Sequence, residues 1–287
     1  MYASHFKLRE NPFSLTPDPK YLFLSRQHRE ALNHLIYGIK EKKGFIVVTG
    51  GIGTGKTTLS RALLSGMDPS VETALIFNSY LSDMELLEVI NQEFGIPLGG
   101  VDRTKRRYID TLNSFLLANH GAGKNSVVLI DEAQNLSRNV LEQIRMLSNL
   151  ETETEKLLQI VLVGQPELRE LLAQPSLRQL NERISVRYHL DALLEDDVPD
   201  YIVHRLTVAG NTGRLSFADD AFGSIYDFSR GNPRRINILC DRALLIAYAG
   251  NGLEIDVKIV KLAIKDLKSS DVKKGTFFAR RKKGLFA

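Results

Sequence analysis

The stretch Phe45-Ile46-Val47-Val48-Thr49-Gly50-Gly51-Ile52-Gly53-Thr54-Gly55-Lys56-Thr57-Thr58 joins an apolar run to a glycine-rich loop, and a helix-like segment from Leu59 to Ser65 follows. The apolar run shows no alternation and reads as a strand buried on both faces. Gly50 to Thr57 then fills the pattern Gly-x-x-x-x-Gly-Lys-Thr in the strand-to-helix setting that a phosphate-cradling loop requires. Glycines let the backbone fold round an anion, consecutive N–H groups and a helix N-terminus face it, and Lys56 adds positive charge near the β and γ oxygens. This predicts that Gly51, Ile52, Gly53, Thr54, Gly55, Lys56, Thr57 and Thr58 bind a nucleoside triphosphate, ATP or its product ADP. The Thr57 hydroxyl is expected on a magnesium ion.

A second half of the site is expected downstream, where Val127-Val128-Leu129-Ile130 runs into Asp131-Glu132. Carboxylates at the end of a buried parallel strand sit on the edge where open α/β sheets bind ligands. Asp131 is placed to share the magnesium with Thr57, and Glu132 to orient and partly deprotonate an attacking water. A second acid placed for water implies hydrolysis and argues against transfer to a small bound acceptor.

Composition fits an ordinary globular protein: 287 residues, 43% hydrophobic and 25% charged, room for one sizeable α/β domain and a smaller partner. Cys240 is the only cysteine, which excludes an internal disulfide and fits a reducing cytoplasm; it stands in an apolar stretch and reads as a small buried hydrophobe. The histidines lack metal-ligand spacing, so no zinc site is expected. No apolar run is long enough to cross a bilayer, and the start carries no secretory signal. Net charge is +4, with the excess concentrated in Lys273-Lys274 and Arg280-Arg281-Lys282-Lys283 before Gly284-Leu285-Phe286-Ala287. Such an end is ordinarily a solvated tail. Two sharper readings stay open, the flank of a membrane helix lying beyond this chain and a nucleic-acid arm, and the abrupt apolar ending favours the first.

Pro12, Pro17 and Pro19 make the opening Phe6 to Phe23 an extended strap, whose aromatics need burial on the sheet or against a nucleotide base. A helix over 27–40 precedes the first strand. Strands are expected at 73–77, 127–130, 157–163 and 185–190, alternating with helices at 83–94, 103–119 and 137–149, which predicts a largely parallel sheet covered on both faces. From Leu193 onward helices dominate, at 195–209, 219–228, 234–249 and 257–268, with Pro233 in the first turn of one of them.

Together the phosphate loop, the acid pair, Gln165 after a strand, and Gly231-Asn232-Pro233-Arg234 resemble the AAA+ ATPases over nearly the whole chain. More narrowly, Asn11-Pro12-Phe13-Ser14-Leu15-Thr16-Pro17-Asp18-Pro19, His28-Arg29-Glu30-Ala31-Leu32, Asp131-Glu132-Ala133-Gln134 and Gly164-Gln165-Pro166-Glu167-Leu168 are similar to the general secretion pathway protein A family. The resemblance implies an α/β parallel-sheet P-loop core with a C-terminal helical lid: residues 1–43 a strap and helix packed on the core, 44–192 the nucleotide-binding domain, 193–270 the lid, and 271–287 a basic tail.

It also implies roles that spacing alone does not supply. Gln165 takes the place of the sensor that positions water beside Glu132, although many AAA+ proteins carry Asn there. Arg234 matches the lid's sensor arginine, with Arg235 as its competitor. Arg183 is the candidate finger that stabilises charge in a neighbouring subunit's site, with Arg178 and Arg187 close enough to be confused with it. Tyr21, Leu22, Phe23 and His28 lie where such proteins surround adenine, though core packing explains them equally. The partners implied are further copies of the chain and an envelope secretion or pilus complex, at the cytoplasmic side of an inner membrane reached only through a segment absent from this sequence. The alternative is an ATP-dependent DNA-binding regulator of the transposition type.

Overall fold

A computed structural model describes residues 2–77, 79–97, 103–153 and 155–282. The tail residues Lys283 to Ala287 lie outside the described residues. The chain divides into two compact units, one of Arg26–Ile52 and Lys56–Asp191, the other of Met1–Ser25, Gly53–Gly55 and Ala192–Ala287.

The first unit is built on five strands, β1 (Phe45–Gly50), β2 (Val71–Ile76), β3 (Asn125–Ile130), β4 (Gln159–Gly164) and β5 (Ile184–Leu190). Their order is β2-β3-β4-β1-β5, and every pair is parallel. β1 and β4 are buried at every position, which is why their sequences run apolar without alternation. Helix Arg26–Lys40 lies close on the sheet: a Cβ at Gly38 would stand 2.5 Å from Ile46 Cδ1. Helix Asp83–Glu93 starts on a capping box, with the Ser82 hydroxyl accepting from the Glu85 N–H and the Glu85 carboxylate accepting from the Ser82 N–H. Helices Lys105–Gly121 and Arg138–Leu147 bury Leu112, Leu116, Leu141 and Ile144 in the same core as Ile130 and Leu162.

All five strands point the same way, so their C-terminal ends share one edge. β4 inserts between β1 and β3, with Thr49 opposite Gly164 and Ile130 opposite Leu162. The loops after β1, β4 and β3 are therefore neighbours in that order. Two short helices, Glu167–Leu172 and Arg178–Glu182, follow β4 and were not anticipated, since neither is long enough to display a helical period.

The second unit packs helices Asp197–Val208, Asp219–Ser229, Pro233–Ala249 and Val257–Lys282 with a short parallel pair, β6 (Ser216–Phe217) and β7 (Glu254–Ile255). Helix Val257–Lys282 runs past the expected end at residue 268. Its core contains Cys240, whose thiol burial pushes up, as expected for an inert apolar filler. Gly231 is fixed by two demands: its φ is +70°, and a Cβ would lie 1.9 Å from the Leu193 carbonyl oxygen.

The strap departs from the expected domain of residues 1–43. Phe6 and Phe13 are buried with Ile202, Leu239 and Leu244 in the helical unit, whereas helix Arg26–Lys40 belongs to the sheet unit. Arg205, 6% exposed, donates to the Pro12 carbonyl, to the Ser14 carbonyl at 3.2 Å and to the Tyr201 hydroxyl at 3.2 Å, and stacks over the Tyr21 ring at 4.5 Å. Carbonyls and ring faces compensate the buried cation.

Candidate functional site

The loop after β1 turns through Gly53 (φ +78°) and Gly55 (φ +102°), a conformation that residues with a Cβ rarely adopt. It delivers Lys56 as the first residue of helix Lys56–Ser65, 6% exposed, with Nζ donating to the carbonyls of Gly50 and Gly51 at 2.9 Å each. Burial pushes the Lys56 ammonium below its ordinary value, opposed by the charges of Glu132, Asp131 and Glu167.

The next residue reaches the neighbouring loop. Thr57 Oγ1 donates to Asp131 Oδ2 at 2.7 Å, linking the ends of β1 and β3. Asp131 is buried, its N–H continues the β2–β3 ladder by donating to Ile76, and its Oδ1 accepts the Glu132 N–H at 2.9 Å. A hydroxyl and a carboxylate this close are the hard oxygen donors magnesium takes, and magnesium fills the rest of its shell with waters and phosphate oxygens. The donor set fits the ion.

Glu132 sits in the left-handed region, φ 52° and ψ 36°, which turns its side chain sharply off the strand. Its carbonyl accepts the Ser79 hydroxyl at 2.7 Å. Its Oε2 accepts two amide N–H groups, from Gln134 at 2.7 Å and from Gln165 at 3.1 Å. Burial alone raises the Glu132 carboxyl, but the bonds from Gln134 and Gln165 and the charge of Lys56 outweigh it and leave the group below its ordinary value.

Lys56, Thr57, Asp131, Glu132 and Gln165 are thus brought together. Arg183 is placed elsewhere in the same unit. Its Nη1 donates to Ser148 Oγ at 2.8 Å and Asn149 Oδ1 at 2.6 Å, at the C-terminal end of helix Arg138–Leu147. Arg178 pairs with Glu182 at 2.8 Å in solvent, and Arg187 donates to Asn181. Arg234 is the second residue of helix Pro233–Ala249 in the other unit, which also takes in Gly53–Gly55 of the loop, while the Arg235 guanidinium covers the Phe228 ring. Tyr21 and Phe23 are engaged within that unit by Arg205, Tyr201 and His204, so packing accounts for them there. In the sequence Gln134 stands out only as part of the motif Asp131-Glu132-Ala133-Gln134. The signal was an amide two residues beyond an acid pair at a strand end.

Residues 39–172 match the AAA domain family. The chain is 49% identical over 249 residues to general secretion pathway protein A of Aeromonas hydrophila, covering 87% of this chain and 45% of that protein. The chain carries an AAA domain and resembles that secretion pathway protein over most of its own length. The chain is also 27% identical to the replication factor C small subunit of Saccharolobus solfataricus over 85% of its own length and 64% of that protein. It therefore spans roughly half to two-thirds of these relatives. Among solved structures, Cdc6p from Pyrobaculum aerophilum aligns with a TM-score of 0.68 at 18% identity, over 89% of this chain and 70% of that one. The Holliday junction branch migration motor RuvB of Thermotoga maritima aligns with a TM-score of 0.54 at 17% identity, over 85% and 70%. At such identities the likeness establishes the fold alone. Among the described residues no helix is long and apolar enough to cross a membrane.

Proposed function

We propose that this AAA ATPase binds ATP with magnesium and hydrolyses it by in-line attack of water on the γ-phosphate, and that the cycle drives assembly or energising of a cell-envelope secretion or pilus complex from the cytoplasmic side. The 2.7 Å contact between Thr57 and Asp131, with Glu132 next in the chain, carries the chemical part of this reading. The loop amides from Gly53 to Lys56 and the Lys56 ammonium hold the phosphates, which offer Nζ charged acceptors in place of the carbonyls of Gly50 and Gly51. Thr57 and Asp131 hold the magnesium, which supplies neutralisation of phosphate charge. Glu132 accepts the proton of the water, and Gln165 orients that water.

Arg234 is read as the lid's reporter of the γ-phosphate, and Arg183 as the finger given to a neighbouring copy. The latter role requires its guanidinium to leave Ser148 and Asn149. The secretion role rests on the 49% identity to a protein of that name. Turnover measured against protein concentration, with and without duplex DNA, tests the whole. Specific activity that climbs with concentration and ignores DNA supports it. Tight DNA binding at physiological salt, with a steep loss as salt rises, overturns the envelope reading in favour of a DNA-binding regulator.

A further inference from the structure

We propose that Gln134 is the positioning residue of Glu132, a side-chain bridge that fixes the catalytic carboxylate to the end of β4. This rests on the reading of Glu132 as the base. Gln134 occupies a single turn, Ala133–Asn135, directly after Glu132. Both polar atoms of its amide are used: Nε2 donates to Glu132 Oε2 at 2.7 Å, and Oε1 accepts the backbone N–H of Gln165 at 2.9 Å. The partners fix which way the amide faces. Reversed, it would set oxygen against a carboxylate and an amino group against an N–H. The pocket is shaped for it, because a Cβ at Gly164 would stand 2.8 Å from Gln134 Oε1.

The bridge has a chemical consequence. Gln134 and Gln165 both bind Oε2, so Oε1 is the oxygen presented for the proton of water. The two anchors are unequal. Gln165 reaches Glu132 through its own side chain, which must let go if that amide turns to a γ-phosphate or a water. Gln134 is tied to the backbone of residue 165, which stays when the side chain swings. It can therefore hold the carboxylate through the step in which Gln165 is engaged elsewhere. A base misplaced by about 1 Å costs up to about a hundredfold in rate.

The test uses the full chain, reading turnover at saturating ATP, affinity for ATP by equilibrium binding, and the melting temperature. Gln134→Glu keeps the size and the acceptor for the Gln165 N–H but sets a like charge against Glu132. Gln134→Ala removes the bridge, and Gly164→Ala crowds Gln134 Oε1, and Leu168 Cδ2 with it, without changing the chemistry of Gln134. We expect kcat to fall about tenfold to a hundredfold in all three with ATP affinity nearly unchanged. In a Glu132→Gln background none of them should lower residual turnover further, because the residue acts through Glu132. Wild-type turnover in Gln134→Ala and Gln134→Glu, a loss that follows the melting temperature, or an undiminished loss in the Glu132→Gln background overturns the proposal. Should Glu132→Gln itself hydrolyse ATP normally, the assignment of the base fails and the bridge with it. A dead Glu132→Gln beside active Gln134 variants sinks the bridge alone.

Discussion

Two polar clusters, one in each unit, are built by opposite rules. Around Arg205 a single buried cation is met by the carbonyls of Pro12 and Ser14, groups that belong to the backbone and do not rearrange. At the end of β3 the acids Asp131 and Glu132 are met by the Thr57 hydroxyl and the Gln134 and Gln165 amides, side chains that can exchange one partner for another. Fixed partners make a cluster that holds structure. Exchangeable partners around carboxylates are what the proposed cation binding and proton transfer require.

The widest separation between the clusters is expected from the acid site. Lys56→Ala should lose measurable turnover and weaken ATP binding at least about tenfold, whereas Glu132→Gln should keep binding and lose about two to four orders of magnitude in kcat. A calorimetric titration beside a phosphate-release assay reads both, and normal hydrolysis in Glu132→Gln would break the contrast. The reverse pattern is expected of Arg205→Met. It strands two carbonyls and removes the stacking on Tyr21, so chemical denaturation should show a loss of about 2–3 kcal/mol with kcat of the folded fraction little changed. An unaltered unfolding midpoint would show that the strap is held by its aromatics alone.

The smallest effect sharpens the comparison by pH. Burial, with the charge of Arg205 beside it, holds the His204 imidazole below its ordinary value. The unfolded chain then takes up the proton first as pH falls, so the contribution of His204 is intact above the ordinary value of 6.5 and erodes below it. His204→Phe should flatten part of the stability loss between neutral pH and pH 5 without altering turnover at pH 7.5. Denaturation curves across that range decide it.

The acid site was legible because its parts are local. A loop pattern after one apolar run and an acid pair after another each declare a strand end, and parallel strands place their ends on one edge. That β4 comes between them was not legible, because strand order is a long-range property that no window of sequence contains. Gln134 escaped for a related reason: its role exists only once Gly164 and Gln165 stand beside it. The strap shows the same limit. Its prolines announce extended chain, but the carbonyls of Pro12 and Ser14 find their donor 193 and 191 residues away. Helices 167–172 and 178–182 were missed through brevity alone.

The shared core of the strap and the C-terminal helices carries a practical warning for anyone dividing this chain. A fragment cut at the apparent border near residue 192 would keep Phe6 and Phe13 while discarding the greasy surface that covers them, and would invite aggregation. The complementary fragment would leave the guanidinium of Arg205 without its backbone oxygens. Both termini should be retained in any shortened version, or the strap spliced by a short linker to the helices it serves.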